Sequence, residues 1–417
     1  MPSVRAQARP WRRRACALAA AVLLGLASPR ASATPGHAAT IETAADTSAF
    51  DSVPLDQISA SGLHNAYDKS KSKSITAGLD LAAHLLEIDA YSTYGNPGGW
   101  IVSHSDPLVN DNNCTYTTGS GVFKTTWENG SLRTCLDDLK AWSDAHPRHD
   151  PVYIKLELKW GFRSNAGMGP AQLDQLVAGH LGAGNLFTPS DMLGTTYTTL
   201  DAAAMAGAWP TWNQLRGKFI VFPITGTIEN KLAGYKLDNL STEQEYAQHL
   251  ADLSAAGRLG EASMWPAMTR PSPNGDPRLI YDAELRPWFV VFDTQATRWL
   301  NDGYTMSWYC RSHYLAVEGS AESVVPTLDD TNPDPTAAAQ RVQYLAQQGH
   351  SSVTTFDWMN APGAFTLWPR DCAVRGSRPP GAARLHRLPR RTTRTRRARG
   401  TDRGVRHHQL GRHRPHL

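Results

Sequence analysis

The chain has 417 residues and a formal net charge of +4, but its basic charge sits at the two ends. Residues 1–36 and 373–417 hold 20 of the 42 Lys and Arg and one of the 38 Asp and Glu, which leaves 22 basic against 37 acidic residues between them, a net of −15. An acidic body of that size excludes a general nucleic-acid binder and is long enough for one large domain or two ordinary ones.

At the N-terminus Trp11-Arg12-Arg13-Arg14 precedes an apolar run over 15–27 and a small-residue site, Ala31-Ser32-Ala33. This pattern predicts a secretory signal peptide over 1–33 and an exported, soluble protein. The apolar run is short for a bilayer span. The arginine triplet also suits a twin-arginine signal, although the residues after it fit that pattern poorly. Residues 34–52 are mostly small and polar and predict a flexible leader. Cys16 falls in the signal, leaving Cys114, Cys135, Cys310 and Cys372. An even count in an oxidising compartment predicts two disulfides. Three pairings exist, and proximity along the chain favours Cys114–Cys135 and Cys310–Cys372. None of the spacings is the C-x-x-C of a zinc site.

From residue 53 the elements read in order. A strand over 58–63 leads into His64-Asn65-Ala66-Tyr67. Residues 74–84 carry helical apolar spacing. Two apolar runs follow, Leu85-Leu86 with Ile88 and Trp100-Ile101-Val102, as consecutive buried strands. A loop over about 107–130 precedes an amphipathic helix over 132–145, with Ser131 placed to cap it. Residues 152–159 alternate strictly, so Lys155, Glu157 and Lys159 share one face. Then come a helix over 171–180, a strand over 218–224, a helix over 242–256, a strand over 288–293 and a helical turn over 295–301. A strand over 307–317, with Ser307, Tyr309, Arg311 and His313 on one face, a helix over 336–348 and a last strand over 352–358 complete the set.

Eight strands mostly separated by helices predict an α/β protein with a parallel sheet. Eight such units within 53–372 predict a (β/α)₈ TIM barrel, somewhat irregular. The competing open doubly wound sheet lacks its Gly-x-Gly-x-x-Gly after the first strand. From Ala373 the chain is Arg-, Pro- and His-rich with no apolar period, which predicts a disordered tail. Such a tail reads either as a basic arm for anionic surfaces or as the out-of-frame product of a GC-rich gene.

The chemistry gathers at strand ends. On one strand Glu87 and Asp89 point the same way. Two buried carboxylates side by side require a cation or a proton between them. Asn65, Glu87, Asp89 and Glu157 together form an all-oxygen ligand set that suits Ca²⁺ or Mg²⁺. His64 and His104 stand at neighbouring strand ends as a general acid and base. A cation that polarises a phosphoryl oxygen, together with an acid–base pair, is equipped to cleave a phosphodiester. Lys155, Lys159 and Arg311 are candidates to contact a substrate phosphate, or else partners of the site carboxylates.

At HNAY (64–67), LEID (86–89), VSHSD (102–106) and PVYIKLE (151–157) the sequence resembles the phosphatidylinositol-specific phospholipase C family, in its calcium-dependent secreted bacterial branch. The resemblance covers the first half of the barrel. It implies attack of the inositol 2-hydroxyl on the lipid phosphate, release of diacylglycerol, and slower opening of inositol 1,2-cyclic phosphate. It further implies His64 as stabiliser of the phosphate, with a share in the acid–base work, and His104 as the acid for the leaving glycerol oxygen. Asn65, Glu87, Asp89 and Glu157 then correspond to the ligands of Ca²⁺. The lysine pair that reads ring phosphates in the eukaryotic enzymes has no counterpart on the fifth strand, which favours plain phosphatidylinositol, met in membranes or micelles by peripheral contact of a monomer. The alternatives are a glycerophosphodiester phosphodiesterase, whose first strand ends in His-Arg-Gly rather than His64-Asn65-Ala66, and an inactive lipid-binding barrel.

Overall fold

The computed structural model describes residues 46–92, 99–107, 111–115, 132–229, 240–269, 276–301, 306–348 and 351–370. The expected signal peptide, most of the leader, much of the 107–130 loop, Ser131, Cys372 and the basic tail lie outside them.

Eight parallel strands build the barrel: β1 (Ile58–Leu63), β2 (Leu85–Ser92), β4 (Val152–Leu158), β5 (Phe219–Thr225), β6 (Ala267–Thr269), β7 (Val291–Gln295), β8 (Leu315–Gly319) and β9 (Val353–Phe356). Their order around the wall is β5-β4-β2-β1-β9-β8-β7-β6. The strands are buried almost throughout and rich in Ile, Val, Leu and Phe, as expected where both faces are covered. Helices α1 (Leu132–Ala145), α2 (Pro170–Leu181), α5 (Thr242–Ala255) and α8 (Pro335–Gln348) cover the outside, helped by the short α3 (Pro189–Leu193), α4 (Leu200–Met205), α6 (Ala296–Asn301) and α7 (Met306–Arg311). The irregularity lies in two connections, between β1 and β2 and between β6 and β7, in which the described residues form 3₁₀ turns and no α-helix.

Four expectations are corrected. Residues 74–84 form turns and one 3₁₀ turn, Leu79–Leu81, because Ala82 takes the left-handed region (φ 67°) and ends any helix there. Trp100–Val102 is β3, which is no barrel strand: it folds back antiparallel on β2 with Val102 opposite Ala90. The missing barrel strand is β6, three residues in a proline-flanked stretch and too short to show a period. Residues 307–317 are not one strand. Helix α7 ends at Arg311, His313 turns the chain at φ 59°, and only then does β8 begin.

The ladder is open between β5 and β6. There the Trp265 amide reaches the Val221 carbonyl (2.9 Å), and the buried carboxylate of Glu243, in the first turn of α5, ties the two strand ends. It accepts from Thr225 Oγ1 (2.8 Å), Thr269 N (3.1 Å), Thr269 Oγ1 (2.6 Å) and the Tyr281 hydroxyl (2.7 Å).

At the opposite end of the barrel β10 (Trp368–Pro369) pairs antiparallel with the start of β1. The buried Arg370 donates to the carbonyls of Asp56 (3.0 Å) and Tyr314 (2.8 Å). The chain up to Arg370 is therefore part of the barrel floor. Ending the protein after Cys372 should leave the melting temperature unchanged to within about 2 °C, since a segment without an apolar pattern contributes little to a core. Ending it after Thr366 should lower that temperature clearly, and equal melting of both truncations would show that the floor is dispensable. Cys114 and Cys135 are bonded (S–S 2.00 Å) as chain proximity suggested, joining the segment after β3 to α1. Cys310 is disulfide-bonded too, and its expected partner lies outside the described residues.

Candidate active site

The site is assembled by strand register. In the β2–β4 pair Glu87 lies opposite Lys155 and Asp89 opposite Glu157. Partners across a parallel ladder face the same side, so alternation along each strand gathers all four, with Lys159, on the inner face. Gly62 lets β1 close against β2: a Cβ there would stand 2.3 Å from the Leu85 carbonyl oxygen. His64 follows β1 directly, and Asn65 takes the left-handed region (φ 54°), which asparagine tolerates better than most residues. From β7 comes Asp293, and Asp357 follows the end of β9.

Hydrogen bonding divides the carboxylate oxygens. One oxygen of each acid is held by protein donors. Glu87 Oε1 takes Lys155 Nζ (3.2 Å) and Asp293 Oδ2 takes the same ammonium (3.1 Å). Asp89 Oδ2 takes Lys159 Nζ (2.7 Å) and the Tyr67 hydroxyl (2.7 Å). Glu157 Oε1 takes Lys159 Nζ (2.9 Å), Thr227 N (2.6 Å) and Thr227 Oγ1 (2.9 Å). By contrast Glu87 Oε2, Asp89 Oδ1 and Asp293 Oδ1 are buried with no hydrogen-bond partner. Glu87, Asp89 and Glu157 each bring one oxygen within 4.8 Å of the others.

That arrangement fits a hard divalent cation. The donors are all oxygens, as Ca²⁺ prefers, and buried oxygens left unpaired are costly without a partner. With all four carboxylates ionised, the two ammoniums would leave an excess of two negative charges in this group. Burial and the charge of Glu157 push the Asp89 carboxyl well above its ordinary range, only partly offset by Lys159. Burial would likewise raise Glu157, but Lys159 and Thr227 outweigh it and hold that carboxyl low. Asn65 is buried beside the group, its Oδ1 accepting from Tyr67 (3.3 Å).

His64 stands at the edge of this cluster, half-buried. Its Nε2 is 3.4 Å from Glu87 Oε2 and its Nδ1 is 3.1 Å from Asp357 Oδ1 and 2.9 Å from the Asn65 amide. Burial alone would lower its pKa, but Glu87 and Asp357 override that and raise it to about 9. Lys71 pairs with Asp357 from the other side. His64, Glu87, Lys155, Glu157 and Asp293 line a cavity of about 310 Å³ together with Thr225, Thr227, Thr269, Thr294, Ser320 and Arg298.

The structure brings together His64, Asn65, Glu87, Asp89, Glu157, Lys155 and Lys159. The two lysines are taken up by the site carboxylates rather than presented to a ligand phosphate. Arg311 is not brought there. It is exposed at the end of α7, just before β8 begins, whereas the cavity lies at the strands' C-terminal ends. His104 is exposed on the segment after β3 and is not among the cavity-lining residues. Its backbone nevertheless belongs to the rim. The Ser103 amide donates to the Asp89 carbonyl (3.3 Å), the His104 amide to Asp111 Oδ2 (3.3 Å), and the Tyr91 hydroxyl to the His104 carbonyl (3.1 Å). Because β4 pairs with β2 along one edge as far as Ala90, β3 occupies the edge that β1 leaves at Leu63. The chain leaving β3 therefore heads back towards the end of β1, where His64 stands. Asp293, Asp357, Lys71, Thr227 and Arg298 were not assigned from sequence. For the two acids the available signal was a carboxylate at the end of a predicted strand.

Residues 123–243 match the family model for Ca²⁺-dependent phosphoinositide phospholipase C. Among solved structures, a Ca²⁺-dependent phosphatidylinositol-specific phospholipase C from Streptomyces antibioticus is 40% identical with a TM-score of 0.70, over 76% of this chain and 99% of that one. A calcium-dependent phosphoinositol-specific phospholipase C from a Gram-negative Pseudomonas species is 21% identical with a TM-score of 0.55, over 77% of this chain and 96% of that one, and shares the fold. No curated protein matches.

Proposed function

This chain belongs to the Ca²⁺-dependent phosphoinositide phospholipase C family, and from that membership we propose that it cleaves phosphatidylinositol to diacylglycerol and inositol 1,2-cyclic phosphate, which it then opens more slowly. The observation that supports this reading is a histidine at one cavity wall beside Glu87, Asp89 and Glu157, buried acids that each bring one oxygen within 4.8 Å of the others, two of them with a buried oxygen that has no hydrogen-bond partner.

Asn65, Glu87, Asp89 and Glu157 would hold the cation. Bound Ca²⁺ supplies neutralisation of the growing phosphoryl charge and lowers the pKa of the inositol 2-hydroxyl. The 2-hydroxyl oxygen attacks phosphorus, and its proton passes to the His64–Glu87 pair, whose Oε2 has no other donor. Asp357 accepts from the imidazole Nδ1–H and so holds the ring with its Nε2 edge facing the cluster. The bond from phosphorus to the glycerol oxygen breaks, and His104 delivers a proton to that oxygen. Water then opens the ring with the two histidines in exchanged roles.

The cavity suits an uncharged polyol. Its wall offers the hydroxyls of Thr225, Thr227, Thr269, Thr294 and Ser320, with Arg298 the guanidinium at its edge. Lys155 and Lys159 are committed to carboxylates, so a ring phosphate would find no lysine pair. No helix among the described residues is long and apolar enough to cross a membrane, and the Cys114–Cys135 bond accords with export. The enzyme would meet its lipid by peripheral contact.

Phosphatidylinositol and glycerophosphoinositol assayed side by side, with Ca²⁺ and with excess chelator, test this. Turnover of the lipid should vanish in chelator, and Glu87→Gln or Asp89→Asn should lower Ca²⁺ affinity and activity together. Phosphorus NMR should show the cyclic diester before the monoester. Full turnover in chelator would refute the reading. A monoester that appears from the start, without the cyclic diester, would assign water as the nucleophile, as in the glycerophosphodiesterases.

A further inference from the structure

The calcium site proposed above contains a cation of its own. We propose that Lys159 is a built-in counter-cation: its ammonium bridges Asp89 and Glu157 and holds the pair together when calcium is absent, so that the site is compensated in advance and its calcium affinity is kept low. The inference rests on the calcium-site reading and says what tunes that site.

Lys159 is buried, and its backbone is fixed where β4 ends, its amide donating to the Ala90 carbonyl (2.9 Å). Its Nζ lies 2.7 Å from Asp89 Oδ2 and 2.9 Å from Glu157 Oε1. These two acids face each other directly across the β2–β4 ladder. The other donors to them, Tyr67 and Thr227, are neutral and supply hydrogen bonds without offsetting charge. A buried carboxylate pair with no cation would be strongly repulsive, so the ammonium keeps the metal-free site folded. It does so through Asp89 Oδ2 and Glu157 Oε1, leaving Asp89 Oδ1 without a partner.

A positive charge this close to a divalent cation also weakens that cation's binding. The expected affinity lies in the weak range of extracellular calcium modules, about 10⁻⁴–10⁻³ M. Lys155 has a related place beside Glu87, but it is shared with Asp293. Lys159 touches only acids of the triad, which makes it the cleaner probe.

Calorimetric titration of the full chain with calcium chloride, and melting with calcium or chelator, test the proposal on wild type, Lys159→Met and Lys159→Arg. The methionine variant should bind calcium at least about tenfold more tightly than wild type. In chelator it should melt roughly 5 °C or more lower, and calcium should restore most of that loss. The arginine variant keeps the charge and should bind within about threefold of wild type. A folded methionine variant that binds calcium no more tightly, or more weakly, overturns the proposal, because Lys159 would then only orient the carboxylates. If the methionine variant does not fold with or without calcium, the arginine variant decides: near-wild-type affinity supports the counter-cation, and a tenfold loss refutes it. A wild-type chain that takes up no calcium would instead refute the calcium-site reading itself, whatever the variants do.

Discussion

Replacing His64 with alanine should lower turnover of phosphatidylinositol by about 10²–10⁴-fold, the usual contribution of a positioned acid–base group. The loss should fall on kcat rather than KM. His64 Nε2 faces Glu87 and the cavity, whereas the walls that would hold an inositol are mostly hydroxyls on β5, β6 and β7 and the segments after them. The orienting partner gives a graded control. Asp357 receives His64 Nδ1 (3.1 Å) and is itself paired with Lys71. Burial would raise its carboxyl, but His64 and Lys71 outweigh that and hold it low, so it stays charged. Asp357→Asn keeps shape and removes charge. It should cost less than His64→Ala and should move the pH profile of kcat to lower pH, because a carboxylate that raises the imidazole pKa is lost. His104→Ala should cost a similar factor to His64→Ala, and the double variant should be little worse than the worse single one if the two act as a unit. Near-normal turnover of His64→Ala would remove it from the chemistry, and an unmoved pH profile in Asp357→Asn would remove Asp357 from the imidazole's control.

Which parts of this site could be read from the chain follows from what local pattern encodes. Glu87-x-Asp89 is visible because a strand has period two and both acids fall in an apolar run. Lys155, Glu157 and Lys159 are visible for the same reason, but their partners are not. Whether those lysines serve a ligand or the acids depends on the register of β2 against β4, which no single strand contains. Register settles it: a buried ammonium within 3.2 Å of a carboxylate is an ion pair. Asp293 and Asp357 stand at the ends of strands that the hydrophobic runs did indicate. Their place beside Lys155 and His64 needs the closed barrel, because the chain separates them by well over a hundred residues. The errors were also physical. In β3, three apolar residues look like a barrel strand because burial is all that a short run reports, and hairpin or parallel pairing leaves no local mark. Around α7 the alternation of Ser307, Tyr309, Arg311 and His313 imitates a strand, while Trp308 and Tyr309 in fact pack edge-on against Phe292 from a helix.

Glu243→Ala should open the barrel at its weakest seam. Between β5 and β6 the ladder is missing, and the Glu243 carboxylate takes its place at the cavity end with four donors from Thr225, Thr269 and Tyr281. Alanine leaves these donors unsatisfied where water has little access. Such groups cost about 1–3 kcal/mol each when fully buried, and partial relaxation should bring the total to about 3–5 kcal/mol. For a domain of this size that lowers the melting temperature by roughly 5–8 °C. Glutamine separates charge from hydrogen bonding. Burial already pushes the Glu243 carboxyl towards its neutral form, against the pull of its donors. An amide oxygen can accept the three bonds that converge on Oε2, and the Tyr281 hydroxyl can turn to accept from the amide nitrogen. Glu243→Gln should therefore lose less than half of what Glu243→Ala loses. The seam also reaches the chemistry, because Thr225 and Thr269 line the cavity. In the alanine variant KM for phosphatidylinositol should rise while kcat changes less, since His64 and His104, the proposed acid–base pair, follow β1 and β3, away from this edge. A Glu243→Ala protein that melts within about 1 °C of wild type with an unchanged KM would show that the Trp265–Val221 bond and the surrounding packing close the barrel without the carboxylate.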